Sequence, residues 1–132
     1  MDDFDLRKVS IFHQLNPEEA QSLEAQVEAK SFEKGELIFR RGDVADALYI
    51  IKSGEIDISI DSESETVILA TITAGNFFGE RALIVNEPRN ASCVAASERV
   101  EVFALDKASF KHALETSASF KEQIQTIYFQ RQ

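Results

Sequence analysis

Residues 73–95, TAGNFFGERALIVNEPRNASCVA, gather the side chains best suited to hold an anion. Two glycines, Gly75 and Gly79, stand close together, and Glu80 directly follows the second. Residues 81–84 could make a short helix, and Pro88 and Arg89 then open a small-residue strand. Backbone amides at a glycine turn leading into a helix start are free to point at an anion, and one arginine adds a forked, charge-assisted contact. This pattern suits a phosphate. Taken alone, Arg89 also reads as a surface ion pair with Glu87 or Glu80, and Glu80 as a helix-start carboxylate held by the helix dipole.

The rest of the chain must position that stretch. At 132 residues and 44% hydrophobic, it has the size of one domain with a core of its own. Ten phenylalanines and no tryptophan suit a mostly β protein with helices laid against it. Twenty-three acids against fourteen Lys and Arg leave a formal charge of -9, with no basic run, which argues against a nucleic-acid surface. Distant charges are screened beyond about 8 Å, so local donors decide whether an anion binds. No window approaches the length of a membrane span, and the acidic start Met1-Asp2-Asp3-Phe4-Asp5 lacks the cationic flank of a signal peptide. The expectation is a cytoplasmic protein, or a cytoplasmic domain of a larger one, without direct membrane insertion. The single cysteine, Cys93, forms no internal disulfide, and its small neighbours Ala91 and Ala95 suggest a packing role on a strand.

Residues 2–13 carry a loose helical spacing at Phe4, Leu6, Val9, Ile11 and Phe12. Asn16-Pro17-Glu18-Glu19 is a stronger helix start, with a cap, proline at the first position and a capping-box glutamate. That helix is expected to run to Val27 and to bury Ala20, Leu23 and Val27. From Ala29 the rhythm becomes short apolar runs broken by Gly35, Gly42, Gly54, Gly75 and Gly79, each placed at a turn. Residues 48–51 and the alternating Ile56, Ile58 and Ile60 are expected to pair around the turn 52–55, and residues 61–65 to form a solvated hairpin tip. Residues 100–105 form another strand. Asp106 caps a helix with Phe110, Ala113 and Leu114, and residues 119–130 form a last helix with Phe120, Ile124, Ile127 and Tyr128 on one face.

In this order the chain resembles the cyclic-nucleotide-binding domain family. The resemblance is carried by FEKGELIFRRGDVADALYIIKSGEIDI at residues 32–58, GNFFGERALIVNEPRNASCVA at 75–95 and VFALDKASF at 102–110. It implies a mainly β fold with flanking helices: an eight-stranded jelly-roll-like β-roll with N-terminal helices and C-terminal hinge and lid helices. One domain would fill residues 1–132, with N-terminal helices to about residue 28, the β-roll over 29–105, a phosphate-binding cassette at 77–92, and hinge and lid over 106–132.

The resemblance also assigns roles. The ligand-binding set would be Phe78, Gly79, Glu80, Arg81, Ala82, Arg89, Asn90 and Ala91. Glu80 would accept from a ribose 2′-hydroxyl, Arg89 would grip the cyclic phosphate, and backbone amides near Ala82, Asn90 and Ala91 would complete the cradle. A hydrogen bond to a charged group is worth roughly 1.5 to 3 kcal/mol, enough to outweigh a screened negative field. Asn90 stands where a threonine or serine is associated in the family with guanine recognition, which leaves cAMP favoured over cGMP. Tyr128 or Phe129 could stack on the base as a lid, and both serve equally well as core or partner-facing aromatics. The ligand is cAMP or cGMP, with no further cofactor and no metal expected.

Other classes fit less well. His13 and His112 are the only histidines and fall on opposite terminal helices, which disfavours a cupin-like metal barrel. No Ser-His-Asp or Cys-His arrangement is tied to a motif, so a catalytic domain is not expected. A transcription regulator of the catabolite-activator type would need a helix-turn-helix, for which the residues up to Gln132 leave no room. The rival reading is a ligand-free module for dimerisation or protein contact, and a homodimer or a linked effector domain is compatible with either.

Overall fold

The computed structural model describes residues 15–130, the side chains of the last four excepted. The helix expected over residues 2–13, with His13, lies outside the described residues. Helix α1 spans Pro17–Glu24 and starts as its sequence dictates. The Asn16 side chain accepts from the Glu19 amide at 2.8 Å, and the Glu19 carboxylate accepts from the Asn16 amide at 3.0 Å. Ala20 and Leu23 are buried. The helix stops short of Val27 because Glu28 already pairs with Ala104 in the first strand, and Val27 packs only partly against the core.

Eight strands follow, β1 (Glu28–Glu33), β2 (Leu37–Phe39), β3 (Ala47–Ser53), β4 (Glu55–Asp61), β5 (Thr66–Thr73), β6 (Phe77–Phe78), β7 (Ser92–Ala95) and β8 (Arg99–Asp106). Helix α2 (Glu80–Val85) interrupts them, and α3 (Lys107–Thr116) and α4 (Ala118–Gln130) close the chain. The strands form two antiparallel sheets, ordered β1-β8-β3-β6 and β2-β7-β4-β5. This is the mainly β roll with flanking helices that the resemblance implied.

One expected pairing is corrected. Strands β3 and β4 do not form a hairpin but belong to different sheets. Both edges of β3 are taken, one by β8 and the other by β6, so β4 must leave for the second sheet. The chain turns that corner at Gly54, whose φ of 91° belongs to the left-handed region. A Cβ there would stand 2.7 Å from the Arg99 carbonyl oxygen and 3.0 Å from the Val100 Cα, so only glycine fits. The acidic tip is where the sequence put it, between paired strands β4 and β5. There the Ser62 amide donates to the Glu65 carbonyl at 2.7 Å and the Thr66 hydroxyl to Asp61 at 2.7 Å.

The two-residue period of β3 and β8 divides the core into two. Leu48, Ile50, Phe103 and Leu105 join the helices in an outer cluster with Leu23, Phe110, Phe120 and Ile124. Tyr49, Ile51, Val100 and Val102 meet Ile56, Phe78 and Cys93 in an inner cluster inside the roll. Asp106 caps α3 by accepting from the Ser109 amide at 2.7 Å. Helix α4 docks on α3 through Phe110 and Phe120, edge to face at 5.8 Å.

Candidate functional site

A cavity of about 220 Å³ opens where β6, α2 and the loop before β7 meet the inner face of the second sheet. Its walls include Phe78, Gly79, Glu80, Arg81, Ala82, Arg89, Asn90 and Ala91, so all eight side chains or backbones singled out in the sequence come together. Phe77, inside the expected cassette span, also lines it, as do four residues that sequence reasoning did not place there: Phe39, Ile58, Ile72 and Cys93. Tyr128 and Phe129 fall in α4, but their side chains lie outside the described set.

Arg89 dominates the site. It is only 4% exposed, which excludes the surface ion pair as its setting. Its backbone is fixed first, since its amide donates to the Asp43 carbonyl at 2.9 Å and its carbonyl accepts from the Gly42 amide at 2.8 Å. The guanidinium then donates through Nη1 to the Gly79 carbonyl and through Nη2 to the Ala47 carbonyl, both at 2.6 Å. Its Cζ sits 4.0 Å from the centre of the Phe39 ring. Nε is buried and has no hydrogen-bond partner among the described residues. Burial pushes the arginine pKa down, opposed by the Tyr49, Asp46, Cys93 and Glu80 groups, and a guanidinium stays charged in proteins.

Local backbone chemistry sets this geometry. Gly79 caps α2 in a left-handed conformation with φ 87°, and a Cβ on it would meet Arg89 Nη1 at 2.9 Å. The opposite end of α2 is stopped by Asn86, also left-handed at φ 57°, whose side-chain oxygen accepts from Lys107 Nζ at 2.6 Å. Between these stops, Glu80 is buried at the first helical position, and Ala82 and Leu83 are buried behind it. Arg81 and Asn90 are exposed at the rim.

The aromatic wall is continuous. Tyr49 stacks on Phe78 at 5.3 Å, and Phe39 lies 5.9 Å from Tyr49 and 6.0 Å from Phe78. Burial and, less strongly, Asp46 raise the Tyr49 pKa above its usual value, so the phenol is neutral. Burial also pushes the Cys93 thiol up to about 12, which makes it a packing group rather than a thiolate. A second cavity of about 230 Å³ lies between α1 and α3, and the carboxylates Glu18 and Glu19 are among its lining residues. Among the described residues, no group of three or more His, Cys, Asp or Glu is placed to hold a metal ion. No described helix is long and apolar enough to cross a membrane.

Comparison with known proteins gives the family of the chain that carries this buried arginine beside a glycine-capped helix start. The model of the cyclic nucleotide-binding domain family matches residues 29–117, from the second residue of β1 through the end of α3. The chain belongs to the cyclic nucleotide-binding domain family. It is 34% identical over 89% of its length to the cGMP-dependent protein kinase egl-4 of Caenorhabditis elegans, of which it covers 15%. It is 32% identical over 83% of its length to the cAMP-dependent protein kinase type II regulatory subunit of Drosophila melanogaster, covering 29% of that protein. Among solved structures, the catabolite activator protein of Thermus thermophilus superposes with a TM-score of 0.83 at 26% identity, covering 92% of this chain and 57% of that one. The chain therefore spans less than a third of the length of these two kinase-associated relatives. In this cyclic nucleotide-binding domain, residues 78–82 and 89–91 line the cavity described above.

Proposed function

We propose that the cavity binds a cyclic nucleotide, cAMP in preference to cGMP, and that the domain senses this ligand in the cytoplasm rather than turning it over. The observation that carries the reading is Arg89, a buried cation lining the cavity with Nε unpartnered. An unpaired buried N–H is costly, and a phosphate oxygen is the partner that a guanidinium accepts best. Arg89 takes the cyclic phosphate. Glu80, buried at the start of α2, takes the ribose 2′-hydroxyl, and the apolar wall of Ile58, Ile72 and Phe78 takes the hydrophobic parts of the nucleotide. Relatives named for cAMP and for cGMP both match, so the preference for cAMP rests on Asn90 replacing a hydroxyl residue at the rim.

The same contacts give a route to the C-terminus. Ala82 and Leu83 of α2 belong to the outer cluster with Phe110, Phe120 and Ile124, so a shift of α2 on the ligand displaces the packing of α3 and α4. A tenfold preference of ligand for one arrangement supplies about 1.4 kcal/mol towards that shift. Calorimetric titration of cAMP and cGMP tests the reading. cAMP should bind more tightly than cGMP, and the Arg89→Ala variant should lose most of the affinity for both.

A second reading draws on strand β5, which among the described residues pairs only with β4 and exposes Val67, Ile68 and Leu69. An apolar edge strand of this kind is open to another chain. No binding of either nucleotide at millimolar concentration, together with a stable oligomer by light scattering, would favour a contact module over a sensor.

A further inference from the structure

The Phe39 ring is placed against Arg89 by the same turn that fixes the arginine backbone. Phe39 ends β2, pairing with Cys93 of β7. Immediately after it, the Arg40 amide donates to the Asp43 carboxylate at 2.9 Å and the Arg41 amide to the Ser92 hydroxyl at 2.9 Å. Gly42 and Asp43 then grip the Arg89 main chain on both sides, at 2.8 and 2.9 Å. Ring and guanidinium are thus anchored to one short segment. Their 4.0 Å separation is kept on the arginine side by the bonds of Nη1 and Nη2 to the Gly79 and Ala47 carbonyls. Tyr49 and Phe78 flank the partly buried ring at 5.9 and 6.0 Å.

The consequence lies in which arginine atoms are satisfied. The two carbonyls each take one N–H, from Nη1 and Nη2, the ring face lies over the guanidinium, and Nε is the one nitrogen with no partner among the described residues. A cation over an aromatic face is held by the ring quadrupole, and the attraction grows when water is excluded. We propose that Phe39 is a positioning residue for the ligand phosphate: its ring face holds the Arg89 guanidinium in the plane that leaves Nε for the anion. Affinity for the cyclic phosphate then depends on the ring's electrons and not on its bulk. This rests on the reading of the cavity as a cyclic nucleotide site, and it concerns a residue outside the cassette segment.

Two substitutions separate face from bulk. Phe39→Leu keeps an apolar side chain and removes the ring, and Phe39→Tyr keeps the ring. In the ligand-free protein, the ¹⁵N–¹H resonance of Arg89 Nε should move and exchange faster with solvent in Phe39→Leu, and stay near its original position in Phe39→Tyr. By calorimetry, Phe39→Leu should weaken cAMP about tenfold and Phe39→Tyr by less than about threefold. Phe39→Met, also ringless and apolar, takes the place of Phe39→Leu if that variant does not fold. Equal affinity in the leucine and tyrosine variants, or an Arg89 resonance indifferent to loss of the ring, would overturn the proposal. If the unsubstituted protein binds neither nucleotide, the cavity reading falls and takes the phosphate role with it. The Arg89 resonance still decides whether the ring holds the guanidinium.

Discussion

The two buried clusters share strand β3 but are built on opposite terms. On the helix side, Leu48 and Ile50 meet Phe110, Phe120 and Ile124, every one of them at most 2% exposed and apolar. Inside the roll, Tyr49 and Ile51 meet Phe78 and Cys93, but the wall also holds Arg89 and Glu80 at 4% and 6% exposure. The outer cluster gains its stability from apolar surface removed from water. The inner one gives up part of that gain to keep a charged pair of residues out of solvent, a cost that folding alone does not require. One strand thus carries a face for stability and a face for binding.

That division can be broken by substitution. The largest effect is expected in the outer cluster, where Phe120→Ala should lower unfolding free energy by about 3 to 5 kcal/mol in a urea titration. Next, Arg89→Ala should weaken cyclic nucleotide binding by roughly 2 to 4 kcal/mol by calorimetry while the folded circular dichroism spectrum is kept. The contrast between the clusters collapses if Phe120→Ala leaves stability untouched, or if Arg89→Ala destabilises the fold as severely and leaves affinity unchanged. Gly54→Ala, at the corner between the sheets, should cost about 1 to 3 kcal/mol of stability, because it combines a left-handed backbone with a backbone clash. Smallest is Asn16→Ala, which removes the α1 cap for about 1 kcal/mol, read as a lowered melting temperature with unchanged nucleotide affinity.

What the sequence revealed follows from how local each determinant is. The caps of α1 and α3 are set by residues three positions apart, Asn16 with Glu19 and Asp106 with Ser109, so composition alone located them. The eight residues between Phe78 and Ala91 that line the cavity were legible for the same reason, since they fall in one continuous segment. Phe39, Ile58, Ile72 and Cys93 were not, because they come from β2, β4, β5 and β7 and converge only once the second sheet forms. The Ala47 carbonyl that receives Arg89 Nη2 has no side-chain signature at all. The misjudged β3–β4 pairing has a related cause. The turn at residues 52–55 looks like a hairpin, but the partner of β3 is chosen by β8, half the chain away.

Strand β6 is only two residues long, and its neighbouring rings belong to different clusters: Phe77 to the outer, Phe78 to the inner. In mechanical terms it is an axle with a vane on each side. A twist of this short strand that swings Phe78 against Tyr49 must swing Phe77 the other way, among the helices. The pairing of Tyr49 with Phe78 and Ile50 with Phe77 hinges both vanes on β3, a strand that the two clusters share.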